Sequence, residues 1–358
     1  MPKVSILVPV YNVESYLNNC LDSLIYQTMR DIEIICINDG STDGSFEILK
    51  QYSEKDKRII VIDKGNSGYG ASMNIGLDKA TGEYIGIVEP DDFANTKMFE
   101  NLYKLAIKND AEIIKSDYLF YTTKNNQSRK AGKINIFEAN KVTDARKSKK
   151  LLKMAPSIWS AIYKREFLTK NNIRFLETAG ASYQDTSFSF KALTLAKRIV
   201  LTDKAYLNYR QDNENSSVKS KAKVDLICKE YDEITDFLNK NPQIKEYANI
   251  QKLIKQYAGY MWNLKRIDEQ FRPEFIEIFA ETFKKYYEAD EITNEFYKKV
   301  KKSEFELLLS DKIAFFNYIN EVVEKENSNN KRRKLFSVRI NFSRVSIILF
   351  GKQIVEIG

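Results

Sequence analysis

Over residues 4–121, apolar runs of strand length alternate with stretches of helical periodicity, which leaves few folds open. Val4-Ser-Ile-Leu-Val-Pro-Val10 is one such run, and Ile32-Glu-Ile-Ile-Cys-Ile37 is a second. Between them Tyr16, Leu17, Cys20, Leu21, Leu24 and Ile25 recur at helical spacing. Further helices are predicted around Phe46 to Tyr52, over 71–80 and over 98–108, and further strands over 59–62, 84–88 and 111–121. Strand–helix repeats of this length predict an α/β fold, a mostly parallel sheet flanked by helices. Residues 122–133 are polar and basic and predict a surface loop, and a clear helix is expected over 185–196.

The character changes after Ser220. Val224, Ile227, Tyr231, Ile234 and Leu238 repeat every three or four residues, as do Phe275, Phe279 and Phe283, with Pro242 and Pro273 between them. This predicts a helical module over 221–330. Residues 325–334 are charged and Asn-rich, as a linker would be. Beyond them Phe336, Val338, Ile340 and Phe342 alternate with polar residues, so 331–358 reads as a basic tail with short strands broken near Ser343. The expected division is therefore 1–220, 221–330 and 331–358.

The chemistry concentrates where predicted strands end. The run Tyr84-Ile-Gly-Ile-Val88 enters Glu89-Pro90-Asp91-Asp92, and Pro90 ends the ladder because it lacks an N–H. Ligands bind at that end of strands in open α/β sheets. Three carboxylates within four residues suit a hard divalent cation carrying phosphate oxygens, or else a turn and helix cap. The chain contains no histidine, so Ser-His and Cys-His catalysis and histidine metal sites are excluded. A general base must then be a carboxylate, Lys or Tyr, and a metal must be held mainly by oxygen, which favours Mn²⁺ or Mg²⁺.

Four other stretches carry polar groups to comparable places. Pro9-Val10-Tyr11-Asn12 ends the first strand without the glycines of a dinucleotide fold or P-loop, leaving backbone and Asn12 to meet a base edge or to make a turn. Asp39 leaves the second strand, and Asp43 suits a helix cap. Gly65-Asn-Ser-Gly68-Tyr-Gly70 precedes a helix containing Asn74, where glycines admit close backbone approach and helix amides attract anions. Gln184-Asp185 begins a helix, and Tyr209-Arg210 followed by Asn215-Ser216-Ser217 places a guanidinium where a loop would close over a diphosphate.

In this order the motifs V-S-I-L-V-P-V-Y-N, I-N-D-G-S-T-D, G-x-G-A-S-M-N-I-G-L-D-K-A-T-G-E-Y-I and the acidic turn resemble family-2 inverting glycosyltransferases of the GT-A fold. Gln184-Asp185-x-x-Phe188 and the Tyr209-Arg210 stretch are similar to the bacterial subgroup that builds capsules and other surface polysaccharides. The resemblance covers about residues 1–220. It implies a nucleotide-diphospho-sugar donor, usually UDP-linked, a divalent metal on the diphosphate, and transfer of a hexosyl or N-acetylhexosaminyl group to a glycan or lipid-linked glycan. By that resemblance Asp39 is the base-contacting Asp, Asp91 the metal-binding Asp and Asp185 the catalytic base. Pro9, Tyr11, Asn12, Gly68, Asn74, Glu89 and Arg210 would complete the donor site. Glu89 stands where the family's first Asp lies, one methylene longer. Gln184 replaces a Glu, which removes a like charge beside Asp185 and is expected to lower its pKa. A nucleotidyltransferase, or a nucleotide-sugar-binding scaffold that has lost turnover, are the rival readings.

A net charge of +8 suits polyanionic partners, nucleotide phosphates or an anionic membrane surface. No apolar run reaches the length of a membrane span, the N-terminus does not resemble a secretory signal, and Cys20, Cys36 and Cys228 have no metal or redox spacing. The expected location is the cytoplasm, with peripheral contact to the inner face of the membrane through Lys331-Arg332-Arg333-Lys334 and the tail, and no nucleic-acid partner.

Overall fold

The computed structural model describes residues 1–213, 225–341, 344–349 and 352–357, those from 329 onward by their backbone alone. Met1–Gln256 and Tyr257–Gly358 form two compact units. The first unit opens with β1 (Val4–Val10), α1 (Glu14–Ile25), β2 (Ile32–Asp39), α2 (Ser45–Lys55), β3 (Ile59–Lys64) and α3 (Tyr69–Lys79). It continues with β4 (Tyr84–Ile87), β5 (Phe93–Ala94), α4 (Met98–Asn109), β6 (Ile113–Thr122), β7 (Gln127–Lys130), β8 (Val142–Thr143) and β9 (Ala161–Lys164). Then follow α5 (Arg165–Lys170), α6 (Gln184–Leu195), β10 (Ile199–Arg210), α7 (Leu226–Lys240) and the start of α8 (Pro242–Arg266).

The strands make one sheet in the order β3-β2-β1-β4-β9-β6-β10-β5, with β7 added to β6 and β8 to β10. Pairs β1–β2, β1–β4, β2–β3 and β6–β10 are parallel, and β9 runs antiparallel to both β4 and β6. Every residue of β1, β2 and β4 is buried, as expected of strands covered on both faces. Helix α3 packs on β1 and β2, α2 on β2 and β3, and α4 on β6, β9 and β10. Gly86 lets α4 approach: a Cβ there would collide with the Phe99 ring. Phe99 is itself fully buried, so its truncation to Ala would cost about 3–5 kcal/mol.

Registry fixes which strand ends meet. Asp39 is paired with Lys64 across β2 and β3. Strand β5 lies antiparallel to β10 with Asn208 opposite Phe93, which brings Arg210 back beside the acidic turn. Arg210 is thus the last residue of a strand, whereas its surroundings in sequence predict a loop. Residues 122–133 also differ from the loop expected there. Asn126 takes a left-handed turn (φ 45°), and Gln127–Lys130 returns along β6 as a hairpin strand. All four β7 residues are exposed, so no buried alternation marks the strand in sequence.

The second unit contains the end of α8, α9 (Arg272–Glu288), α10 (Asn294–Tyr297), α11 (Lys302–Ser310), α12 (Lys312–Leu335), β11 (Phe336–Asn341), β12 (Arg344–Leu349) and β13 (Lys352–Ile357). Phe275, Phe279 and Phe283 stack successive turns of α9 against Tyr257, Tyr260 and Phe305, all buried. The Glu304 carboxylate accepts from the Tyr257 and Tyr318 hydroxyls at 3.0 and 2.8 Å. Helix α12 runs on through residues 325–334, where composition predicts a linker. Strands β11 and β12 pair antiparallel on either side of the break expected near Ser343, and β13 adds a third strand. The side chains of Lys331-Arg332-Arg333-Lys334 lie outside the described residues.

Candidate active site

The ends of β1, β2 and β3 build one side of the site from hydrogen bonds within the chain. Asn12, at a left-handed φ of 51°, accepts the Thr42 N–H through Oδ1 at 2.8 Å and braces the loop leaving β2. Asp43 caps α2 through the Ser45 N–H at 3.0 Å. Asp39 is buried, and its two oxygens accept the N–H groups of Ser67 and Gly68 at 2.8 and 3.0 Å. Lys64 donates to Asp39 as well and to Ser67 Oγ at 2.6 Å. Asp39 therefore holds the glycine loop in place from the end of the neighbouring strand. Gly68 has φ 93°, and a Cβ there would lie 2.7 Å from Thr178 O, so only glycine fits.

The acidic turn is held by Arg210. Its backbone N–H donates to Asp92 Oδ1 at 2.8 Å, its Nε donates to Asp91 O at 2.7 Å, and Nη1 donates to Thr123 Oγ1. The guanidinium lies over the rings of Tyr16 and Tyr121, at 4.9 and 5.0 Å. Nη2 makes no hydrogen bond among the described residues. Asn213 Nδ2 donates to Asp91 Oδ2 at 2.8 Å. Asp92 is fully buried, and its Oδ2 has no partner among the described residues. Burial, then the Asp91 charge, holds the Asp92 carboxyl well above the usual carboxylate range, against the pull of the Arg210 N–H. Glu89 accepts from the Tyr69 hydroxyl at 2.7 Å. Burial pushes Glu89 up to about 8; the Tyr69 hydrogen bond opposes this, and the charges of Asp91 and Asp185 reinforce it.

Asp185 sits in the first turn of α6, half-buried. Two lysines counter it electrostatically. Lys115 on β6 is buried and donates to Ser157 O and Oγ and to Ser160 Oγ at 2.6, 2.9 and 3.1 Å. Lys255 on α8 donates to Met154 O at 2.9 Å. Burial raises Asp185 to about 6, while Lys255, the Thr186 hydroxyl and Lys115 restrain it. The same burial lowers Lys115 to about 7, helped by Lys255, and Lys255 to about 8. With the neutral Gln184 beside it rather than a Glu, Asp185 has no like charge from its neighbour, and its rise comes from burial. Gln184 itself ties residues 178–182 together, donating to Thr178 Oγ1 at 2.8 Å and accepting the Ser182 N–H at 2.6 Å. Glu230 of α7 accepts the Ser187 N–H at 3.0 Å near the start of α6, and burial raises it to about 7.

Of the residues singled out from sequence, Glu89, Asp91 and Asp185 share one electrostatic neighbourhood, and Asp39 and Gly68 form the adjoining loop clamp. Asn74, on the helix behind that loop, holds the neighbouring segment: its amide donates to Phe175 O and Glu177 Oε1 and accepts the Phe175 N–H. Pro9 is buried within β1, and Tyr11 is exposed. Asn215, Ser216 and Ser217 lie outside the described residues. Sequence marks Asp92 only as one of the three carboxylates of the turn, and it assigns Lys115 and Lys255 no place in the site. A signal existed for Lys115, a cation inside the apolar run Ile113-Ile114-Lys115, but none for Lys255 on a long mixed helix. Among the described residues no group of three or more acidic, Cys or His side chains is placed to hold a metal ion. Cys20, Cys36 and Cys228 are buried.

A model of the family described as Glycosyl transferase family 2 matches residues 5–171. An uncharacterized glycosyltransferase of Haemophilus influenzae is 36% identical over 208 residues, which cover 56% of this chain and 76% of that protein. The chain belongs to glycosyl transferase family 2. The uncharacterized glycosyltransferase EpsJ of Bacillus subtilis is 36% identical over 222 residues, 60% of this chain and 63% of EpsJ. The match thus spans less than two thirds of that relative. In three dimensions the chain superposes on S. aureus TarS 1–349, crystallised with UDP-GlcNAc, with a TM-score of 0.66 at 20% identity over 97% of each chain. That likeness establishes the GT-A fold for this family member.

Proposed function

We propose that this family-2 glycosyltransferase is an inverting enzyme that moves a hexosyl or N-acetylhexosaminyl group from a UDP-sugar to a hydroxyl of a glycan or lipid-linked glycan, in surface-polysaccharide synthesis at the cytoplasmic side of the membrane. The observation that carries the reading is the meeting of Glu89 with Asp91 and Asp185, carboxylates from stretches nearly a hundred residues apart, the last two raising the proton affinity of Glu89. The UDP-GlcNAc bound by TarS supports the donor class.

In this reading residues 1–220 carry the chemistry, with Lys255 of α8 added to them. Asp39 and the loop it clamps, together with Tyr11 and Asn12, receive the nucleotide. Asp185 takes the proton of the acceptor hydroxyl as that oxygen attacks the anomeric carbon, and a pKa of about 6 suits a base that is ionised at neutral pH yet still basic. Lys115 and Lys255 keep it ionised. Arg210 fixes the acidic turn and has Nη2 to offer the diphosphate. The carboxylates crowded at the turn, which hold their protons for want of a counter-charge, and the half-buried Asp91 fit a divalent cation, which a single carboxylate would hold with phosphate and water oxygens completing the shell. Mn²⁺ or Mg²⁺ bound there would supply charge neutralisation for the departing diphosphate.

Calorimetry of UDP binding with and without Mn²⁺ tests the donor side. Asp91→Ala should abolish the metal-dependent part, and equal affinity with and without chelator would sink the metal assignment. Release of free UDP that depends on an added glycan acceptor tests the reaction itself.

A further inference from the structure

The net charge has an address. Residues 124–153 hold ten basic side chains against two acidic ones, an excess equal to the +8 of the whole chain. All ten are exposed. Glu138 pairs with Lys150 at 2.7 Å, and Asp144 lies between Arg146 and Lys147 at 3.6 and 3.8 Å. Lys133, Lys141, Lys149 and Lys153 have no acidic partner among the described residues.

At the centre of this charge is an apolar tip. Residues 135–138 form a turn closed by Glu138 N–H to Asn135 O at 3.0 Å and by Phe137 N–H to Asn135 Oδ1 at 3.0 Å. The turn is pinned on both sides, because Ile134 and Ala139 are buried and the Asn140 N–H donates to Leu201 O at 2.7 Å. Between these anchors Ile136 is 66% exposed and Phe137 79% exposed. Beside Phe137 a cavity of about 260 Å³ is lined by apolar Val142, Leu151, Met154 and Leu201 together with Lys133, Lys141 and Lys150. A turn held rigidly with its two largest apolar side chains in water, ringed by lysines, is costly unless something covers it.

We infer that this surface docks the protein on an anionic lipid bilayer, with Ile136 and Phe137 entering the headgroup–acyl boundary and the lysines contacting lipid phosphates. The pairing of features selects this partner. A soluble polyanion would use the lysines and leave the tip exposed, and an apolar protein groove would have no use for eight excess charges. A bilayer rich in anionic headgroups satisfies both. The inference does not depend on which sugar is transferred, nor on the tail at 331–358.

The test is co-sedimentation of the full chain with phosphatidylcholine vesicles and with vesicles containing about a third phosphatidylglycerol. Wild type should pellet with the anionic vesicles only, and less so at 0.5 M salt. Ile136→Ser/Phe137→Ser should weaken partitioning by about tenfold or more. Lys133→Gln/Lys141→Gln should weaken it by about 30-fold. All four positions are on the surface, so unchanged near-ultraviolet circular dichroism establishes that the variants remain folded. Wild type left in the supernatant with anionic vesicles would overturn the inference. So would a serine variant that pellets like wild type, even if soluble polyphosphate displaced it, since that result would mark a polyanion site instead.

Discussion

Replacing Lys255 by Met removes one positive charge near the proposed base while keeping most of the side chain's volume. Asp185 stands at about 6 because burial raises it and Lys255 is the largest restraint. An opposite charge at close range is worth about 1–3 pKa units, so its loss should carry Asp185 to about 7 at the low end of that range. The ionised fraction would then fall from about nine-tenths to about half at pH 7, and from about half to about a tenth at pH 6. Expected kcat/KM is therefore about twofold down at pH 7 and about fivefold down at pH 6, with little change at pH 8.5. The shift has a built-in damper. Lys115 is held down to about 7 partly by Lys255, so removing Lys255 lets Lys115 take up a proton and restore some positive charge. Adding Lys115→Met should enlarge the displacement of the acidic limb, and Lys255→Arg should return it. The assay is coupled detection of free UDP from pH 5.5 to 8.5 at subsaturating donor. An acidic limb unmoved in Lys255→Met, in a protein that still folds, would show that Asp185 is not the titrating base or that Lys255 does not govern it.

Three further outcomes follow from the same geometry. Asp185→Asn keeps the shape but not the proton acceptor, so kcat should fall by about 10²–10⁴-fold with UDP affinity nearly unchanged in calorimetry; turnover close to wild type would reduce Asp185 to a helix-terminal residue. Glu89 is raised from 4.5 to about 8, so the folded chain binds more protons than the unfolded one across that window and stability must fall as pH rises through it. Glu89→Gln should flatten the dependence of Tm between pH 5 and 8, and an equally steep slope in the variant would assign the effect elsewhere. Gly68→Ala must either move Thr178 or abandon φ 93°, at a cost of about 1–3 kcal/mol in urea unfolding and with loss of UDP binding; a variant as stable as wild type would show that the loop relaxes freely.

The sheet of the first unit was legible because β1, β2 and β4 are covered on both faces and so read as unbroken apolar runs. Strand β7 was not, since all four of its residues face water and only the left-handed Asn126 marks its turn. The same division runs through the site. Asp39, Glu89, Asp91 and Asp185 stood out as carboxylates at element ends, a position that sequence displays. What each does depends on partners far along the chain. Asp39 spends its oxygens on Ser67 and Gly68, and Arg210 reaches back over a hundred residues to Asp91 and Asp92. Burial, which sets the sign of the Asp185 shift, and the opposing charges of Lys255 and Lys115 both come from the packing of distant segments and have no local code. Asn74 shows the converse: a polar residue early in a helix behind a glycine loop suggests a ligand, and its amide here meets the Phe175 backbone and the Glu177 carboxylate, partners that sequence does not display.

That contact binds two distant stretches into one body. Asn74 clasps Phe175 from both sides, the Tyr69 N–H donates to Gly180 O at 3.0 Å, and Gly70 abuts Leu176 O. The glycine loop and the segment leading to Asp185 therefore share hydrogen bonds, and opening either one breaks bonds of the other. In native-state amide exchange the N–H groups of Tyr69 and Phe175 should behave as members of one cooperative unit, with a common opening free energy and a common response to added UDP. Nucleotide that quiets the first stretch would then stiffen the approach to the base as well, before any acceptor has arrived.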